Sequence, residues 1–194
     1  MNKKFIELKK SNAKNSIIYL PGSKSISNRV LLISVLLQEQ IKIKNILFSD
    51  DTKVMSSALK KLGANIIIDE SSKECVITKS NILLEKKIID LYIGNAGTAI
   101  RPLTAILAFL NGEYLLHGTS RMHERPIEDL VNALKSIGAD IVYEKNIGYP
   151  PILIKGSKIQ NNTIEVKGDT SSQYLTSILL ASPIIAKNKD LRIK

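Results

Sequence analysis

The sequence predicts an α/β fold assembled from a repeated unit of helices and strands. Three apolar segments begin at Arg29, Arg101 and Gln173, and these starts are 72 and 72 residues apart. Small polar residues precede each segment, and a strand-like run follows it. A fixed spacing of this kind indicates repeated structural units. We expect units of about βαβαββ, with two complete units and part of a third in the 194 residues.

The first helix of each unit is predicted from its apolar segment and the loop before it. Ser, Thr, Asn and Gly are the residues that cap helix N-termini, and Pro is favoured in a first turn. Pro102 therefore suits the first turn of the second such helix. The loops are 23–28, 94–98 and 168–172, and the strand-like runs after the helices are 41–44, 114–117 and 191–194.

A second helix is predicted in the first two units. Segments 51–64 and 127–139 carry apolar residues at i, i+3, i+4 and i+7, and both end in Gly-Ala. This spacing is typical of an amphipathic helix. Gly63 and Gly138 should end these helices in the left-handed conformation.

The composition excludes several classes of protein. One cysteine and two histidines exclude a disulfide framework and make a metal site unexpected. The net charge of +10 comes from scattered lysines, and aromatic residues make up only 5%, which argues against nucleic acid as the partner. No apolar run is long enough to span a membrane. The N-terminus lacks the apolar core of a signal peptide, so we expect a cytoplasmic protein with no membrane partner.

The loops before the first helices are candidate anion sites, because free N–H groups and the helix dipole attract negative charge. Ordinary helix capping is the alternative explanation of each loop by itself. Side chains beyond those needed for capping favour a site. Lys24, Ser25 and Arg29 can gather on a phosphate, and Gly97 lets a ligand approach the backbone closely. The loop 168–172 adds hydroxyl donors and leads into Gln173, but it carries no cation. Without a redox or metal signature, group transfer is the expected chemistry.

The segments that carry these features resemble a known family. The motifs PGSKSISNR, LFSDDT, IGNAGTAIRP, RMHERPIEDL, GYPP and GDTSSQYLT occur in the order found in 5-enolpyruvylshikimate-3-phosphate synthases. The resemblance implies the enolpyruvyl transferase fold. It implies transfer of the enolpyruvyl group of phosphoenolpyruvate to the 5-hydroxyl of shikimate 3-phosphate, with release of phosphate. This reaction serves chorismate and aromatic amino-acid biosynthesis and uses no metal or organic cofactor.

The resemblance also assigns residues to the two substrates. Lys24 and Arg125 would stabilise charge electrostatically, and no acid or base of the reaction is assigned to this chain. Gly97 and Pro102 match the family members that are sensitive to the inhibitor glyphosate. The implied contacts to shikimate 3-phosphate are Lys24, Ser25, Arg29, Ser171, Ser172 and Gln173, and those to phosphoenolpyruvate are Lys24, Gly97, Arg125 and Gln173.

Family members are longer and have two similar domains, so the resemblance implies an absent C-terminal half as a partner. Residues 1–20 would be the opening strand of the second domain, and residues 21–194 most of a three-unit domain that is truncated in its third unit. We expect the fragment to bind substrates weakly and to be inactive alone, whereas the complete enzyme is expected to be a monomer.

Two other interpretations of the sequence stay open. One is a non-catalytic remnant or small-anion binding module. The other is a basic nucleic-acid binder, because a distantly similar repeat occurs in RNA 3′-phosphate cyclases.

Overall fold

The computed structural model describes residues 7, 10, 15, 17–37, 39–78, 88–167, 170–186 and 190–194. The helices in this part of the chain are α1 (Lys24–Leu36), α2 (Asp50–Lys61), α3 (Gly97–Leu107), α4 (Glu128–Ser136) and α5 (Ser172–Ile185). The strands are β1 (Ile41–Lys44), β2 (Asn65–Asp69), β3 (Glu74–Thr78), β4 (Ile89–Tyr92), β5 (Glu113–His117), β6 (Asp140–Tyr143), β7 (Ile152–Lys155), β8 (Thr163–Ile164) and β9 (Arg192–Ile193).

The middle of the chain forms one full βαβαββ unit, in the order β4-α3-β5-α4-β6-β7. Its sheet has the strand order β4-β5-β7-β6. β4 and β5 are parallel, because α3 connects them, whereas β5-β7 and β7-β6 are antiparallel. The predicted repeat is therefore present as a complete unit here.

The first unit repeats this arrangement from its first helix onward. The order α1-β1-α2-β2-β3 gives an antiparallel sheet β1-β3-β2, which matches β5-β7-β6. Of residues 1–20, only 7, 10, 15 and 17–20 are described, and none of these is in a strand. The assignment of 1–20 to another domain stays a prediction.

The beginning of a third unit is also visible. β8 and β9 are parallel, as β4 and β5 are, and α5 connects them. The repeated α/β architecture predicted from the sequence is confirmed.

Helix α3 lies at the centre of the core. All of its residues except Thr98 are buried, and it packs against α1, α2, α4 and α5. Most of its side chains are apolar and need cover from water, and Arg101 and Thr104 are buried with them. The other helices provide this cover, and those that begin near the start of α3 are α1, α2 and α5.

The predicted helix ends are largely confirmed. Ser23 caps α1 by accepting the Ile26 N–H, and Ser171 caps α5 by accepting the Gln173 N–H. Gly63 and Gly138 have φ angles of 93° and 107°, the left-handed conformation expected after α2 and α4.

Two details of the predicted repeat are wrong. Pro102 is the sixth residue of α3, not part of its first turn, because the helix already begins at Gly97, where Ala96 O accepts the N–H groups of Ala99 and Ile100. The first helices of the units begin at Lys24, Gly97 and Ser172, so the uniform spacing of 72 residues does not place its three residues at equivalent helical positions.

A reciprocal capping box fixes the start of α2, the helix that carries Asp51. The Ser49 side chain accepts the Thr52 N–H, and the Thr52 hydroxyl accepts the Ser49 N–H at 2.8 Å. We expect Ser49→Ala to lower the free energy of unfolding by about 1 kcal/mol, because one backbone donor of α2 loses its acceptor. The shift in the urea midpoint at an unchanged slope measures this loss.

Ser57→Ala is the matched control, since Ser57 is exposed on the same helix and makes no cap. Equal midpoints for the two variants would show that the capping box contributes nothing to stability.

Candidate anion-binding site

The N-terminal ends of four helices meet at one open cleft of about 690 Å³. Residues from the first turns of α1, α2, α3 and α5 stand in its wall, together with the loops that follow β4 and β5. Partial positive charge at helix N-termini makes such a cleft favourable for an anion. The residues from the helix starts are Lys24, Asp50, Asp51, Lys53, Gly97, Thr98 and Gln173, and the loops contribute Gly94, Asn95, Ala96, Thr119 and Arg125.

The structure brings some of the predicted site residues together in this cleft and leaves others outside its wall. Every residue that the resemblance assigned to phosphoenolpyruvate lies in the wall: Lys24, Gly97, Arg125 and Gln173.

The remaining predicted residues lie at the same helix ends but not in the wall. Ser25 is half-buried in α1, Arg29 is exposed further along that helix, and Ser172 is the exposed first residue of α5. Ser171 accepts the Gln173 N–H at 3.3 Å. Gly168 and Asp169, which begin the third predicted loop, lie outside the described residues.

A chain of polar contacts connects the starts of α1, α2 and α3. Lys24 Nζ lies 3.2 Å from Asp51 Oδ2, and the Thr98 hydroxyl donates to the same oxygen at 3.2 Å. Asn28 Nδ2 donates to Thr98 Oγ1 at 2.8 Å from a fully buried position. The carboxylate of Asp51 therefore holds Lys24 over the cleft and ties it to α3. Asp51, Thr98 and Asn28 are not among the predicted site residues. The spacing of four between Lys24 and Asn28, which places both on one face of α1, is the signal in the sequence that points to them.

A second set of contacts joins α3 to α5 beside the cleft. Arg101 Nη1 donates to Gln173 Oε1, and Arg101 Nη2 donates to the Pro126 carbonyl at 3.3 Å. The guanidinium lies 5.3 Å from the centroid of the Tyr174 ring, and the Tyr174 hydroxyl donates to the same Pro126 carbonyl at 2.9 Å. Burial lowers the pKa of Arg101; nearby Tyr174 raises it, and Arg125 lowers it. An arginine stays protonated under such a shift, so this is a buried cation held by neutral partners.

Arg125 is a cation that is available to a ligand. It follows a short 3₁₀ helix, Met122–Glu124, and its side chain is half-buried in the cleft wall. Within the described part of the chain, no carboxylate lies within ion-pair distance of its guanidinium. A planar guanidinium without a carboxylate partner is suited to bind phosphate or carboxylate through two hydrogen bonds.

Gly97 provides the space in which these side chains meet. A Cβ atom at this position would lie 2.8 Å from Arg125 Nη1, 3.4 Å from Arg101 Nη1 and 3.7 Å from Gln173 Oε1. Any side chain here would displace at least one of the three groups. Glycine is therefore needed at this helix start because there is no room for a side chain.

The described residues form neither a metal-binding cluster nor a membrane-spanning helix. They contain no group of three or more His, Cys, Asp or Glu side chains placed to hold a metal ion. None of their helices combines the length and apolar character that crossing a membrane requires.

The fold and the cleft together define the class of protein: an α/β chain of repeated βαβαββ units with a site suited to a small anionic ligand. A family model described as EPSP synthase (3-phosphoshikimate 1-carboxyvinyltransferase) matches residues 8–194. The chain belongs to this family.

Individual relatives agree with the family match. The chain is 49% identical over 189 residues to a 3-phosphoshikimate 1-carboxyvinyltransferase from Burkholderia orbicola (strain MC0-3), a match that covers 97% of this chain and 43% of the relative. A protein of the same name from Paraburkholderia phytofirmans is 49% identical over 182 residues, which is 93% of this chain and 42% of the relative. The chain thus spans less than half the length of these relatives.

A solved structure supports the fold. EPSP synthase from Acinetobacter baumannii superposes with a TM-score of 0.74 and 24% identity, covering 85% of this chain and 38% of that protein. At this identity the comparison shows the common fold alone.

The space at Gly97 gives a prediction. In Gly97→Ala the new methyl group displaces the Arg125 guanidinium, so the affinity of the cleft for a small anion such as inorganic phosphate should fall about tenfold, the equivalent of one hydrogen bond to a charged group. Stability should change little, because alanine favours the helix by about 0.5–1 kcal/mol and the displaced group is the end of a flexible side chain. Calorimetric titration and thermal unfolding measure the two quantities.

A double-mutant cycle with Arg125→Met provides the control. If Gly97→Ala lowers affinity as much in the Arg125→Met background as in the unchanged chain, the effect does not pass through Arg125 and the explanation is wrong.

Proposed function

We propose that this chain contributes one side of the substrate site of an enolpyruvyl transferase. The reaction is the one named for its relatives: the enolpyruvyl group of phosphoenolpyruvate passes to the 5-hydroxyl of shikimate 3-phosphate, and phosphate is released. The observation that carries the proposal is the convergence of Lys24, Gly97, Arg125 and Gln173 on one cleft at four helix N-termini.

The geometry supports phosphoenolpyruvate as the ligand of this cleft. The molecule carries a phosphate and a carboxylate, and both groups need donors. Lys24, Arg125 and the N–H groups at the helix starts supply such donors without any acid–base chemistry. Arg125, with no carboxylate partner among the described residues, is the natural phosphate ligand.

Shikimate 3-phosphate would lie across the starts of α1 and α5. Ser25 and Arg29 on α1, and Ser171 and Ser172 at the start of α5, flank the cleft from these two helices. Their hydroxyl and guanidinium donors suit a phosphate and a polyol. In this arrangement Lys24 and Gln173, which lie in the cleft wall, would contact both substrates.

In the proposed reaction the 5-hydroxyl group loses its proton and its oxygen forms a bond to C2 of phosphoenolpyruvate, while C3 gains a proton and the C2–C3 double bond becomes a single bond. The tetrahedral intermediate then loses phosphate from C2 and a proton from C3, which restores the enol ether. Lys24 and Arg125 would stabilise the charge of the phosphate as the bond breaks. The groups that move protons would come from the rest of the longer protein.

The same proposal fixes the context of the chain. Residues 21–194 would belong to one domain and residues 1–20 to the other, with the complete enzyme a cytoplasmic monomer.

Glyphosate would compete for the phosphoenolpyruvate side of the cleft, and sensitivity of the complete enzyme stays a prediction. Nucleic acid is a poorer fit, because the lysines are scattered along the chain and aromatic residues, on which bases would stack, make up only 5% of it.

Binding of shikimate 3-phosphate by this chain tests the proposal. About three charge-assisted hydrogen bonds of roughly 1.5–3 kcal/mol each, less the cost of ordering, predict a dissociation constant in the high micromolar to millimolar range. Calorimetric titration should give saturable binding that Lys24→Ala abolishes.

Lys44→Ala is the matched control, because Lys44 is an exposed lysine on β1 outside the cleft wall. Failure of a folded chain to bind, or equal losses in the two lysine variants, would contradict the proposal.

The chain by itself should bind substrates without turning them over. Because the proton-transferring groups are assigned to the rest of the protein, a phosphate-release assay with both substrates should give no rate above the rate without protein. Phosphate release that depends on this chain and is lost in Arg125→Met would place acid–base groups within these 194 residues instead.

A further inference from the structure

The contact between Arg101 and Gln173 carries an inference about how the cleft selects its ligand. The two residues belong to α3 and α5, 72 positions apart, and only Gln173 stands in the cleft wall. Arg101 is 9% exposed and lies behind that wall. Arg101 therefore acts on a ligand through Gln173, and not by direct contact.

The chemistry of the two side chains decides the orientation of the carboxamide. A guanidinium has donors and no acceptor, so the glutamine atom that faces it must be the oxygen. The Gln173 oxygen is thus committed to Arg101. The nitrogen, with its two N–H donors, is the polar end that stays available, and it has no acceptor among the described residues.

Arg101 is itself held in place, so it can fix its partner. Its second nitrogen donates to the Pro126 carbonyl, and its guanidinium carbon lies 5.3 Å from the centroid of the Tyr174 ring. Tyr174, fully buried, donates to the same carbonyl. The missing side chain at Gly97 leaves room for both the guanidinium and the carboxamide oxygen.

We infer that Arg101 is a positioning residue that turns the Gln173 carboxamide so that its N–H donors, and not its oxygen, face the cleft. With Lys24 and Arg125, Gln173 then gives the cleft three side chains that only donate hydrogen bonds, while the carboxylate of Asp51 in the same wall is already paired with Lys24 and Thr98. Such a set of donors selects ligand atoms that only accept hydrogen bonds, namely the oxygens of a phosphate, a carboxylate or an ether. The choice of phosphoenolpyruvate as probe rests on the proposed function, whereas the orientation of the amide does not.

The orientation is tested without any ligand. Nuclear magnetic resonance relaxation of the Gln173 side-chain nitrogen should show an ordered amide in the unliganded chain. Arg101→Met, which removes both donors but keeps the length of the side chain, should make this amide mobile. Arg121→Met, the change of an exposed arginine outside the cleft wall, should leave it ordered. An amide that is mobile in the unchanged chain, or equally ordered in Arg101→Met, would overturn the inference.

The donor role is tested by binding. Gln173→Glu keeps an oxygen for Arg101 but presents a second oxygen to the cleft in place of the N–H donors. Affinity for phosphoenolpyruvate should fall at least about thirtyfold, because a donor to an anion is replaced by a repelling charge. Asn95→Asp makes the same chemical change on the same cleft wall without an Arg101 partner, so it measures the effect of charge alone, expected to be a few-fold.

The binding and relaxation results each support or overturn one part of the inference. An equal loss in Gln173→Glu and Asn95→Asp would overturn the donor role, whereas a clearly larger loss in Gln173→Glu supports it. If Arg101→Met does not fold, Arg101→Lys replaces it in the relaxation test. A single ammonium nitrogen cannot take the places of both guanidinium nitrogens, which donate to Gln173 Oε1 and to the Pro126 carbonyl, so the Gln173 amide should be only partly ordered. A fully ordered amide in Arg101→Lys would count against the inference. If the unchanged chain binds no phosphoenolpyruvate, the proposed function fails and the relaxation test still decides the role of Arg101.

Discussion

The burial of α3 on every side is the constraint on which the rest of this structure depends. Nearly all of its side chains are buried, including those of Arg101 and Thr104, and α1, α2, α4 and α5 cover them. The first turns of α1, α2 and α5 lie beside its N-terminus. The cleft is a consequence of how the core packs, because the polar loops that precede these helices have no place in the core and meet at one end of it.

Close packing at that end leaves no room for a side chain at Gly97. Gly97 has no side chain, and the space is taken by Arg125, Arg101 and Gln173. Gly118, on the next loop, is equally confined: a Cβ atom there would lie only 2.1 Å from the carbonyl oxygen of Gly94. The loops that follow β4 and β5 are thus pressed together, which sets the position of Arg125 relative to the start of α3. Glycine is needed at these places because a side chain would collide with neighbouring atoms, in addition to any conformational freedom that glycine brings.

The sequence predicted the elements better than the contacts between them. Periodicity located the amphipathic helices, and Gly63 and Gly138 marked their ends, because these signals are local. The position of Pro102 was predicted wrongly, because a proline in the interior of a helix is rarer than one in a first turn. The Lys24–Asp51–Thr98–Asn28 chain and the Arg101–Gln173 contact could not be predicted, because they join segments that are distant in sequence. Two acidic residues at a helix start also have an ordinary explanation in the helix dipole, which concealed the role of Asp51.

The cations around the cleft differ in how freely they can change partners, and this difference assigns them different tasks. Lys24 is half exposed, so its ion pair with Asp51 contributes little stability and can be shared with an incoming anion at small cost. Arg125 meets no carboxylate within the described residues and needs no exchange at all. Arg101 is buried beside Tyr174, Pro126 and Gln173, so moving it into the cleft would break its hydrogen bonds to Gln173 and to the Pro126 carbonyl. A ligand therefore recruits Lys24 and Arg125 directly, whereas Arg101 stays fixed and shapes what Gln173 offers.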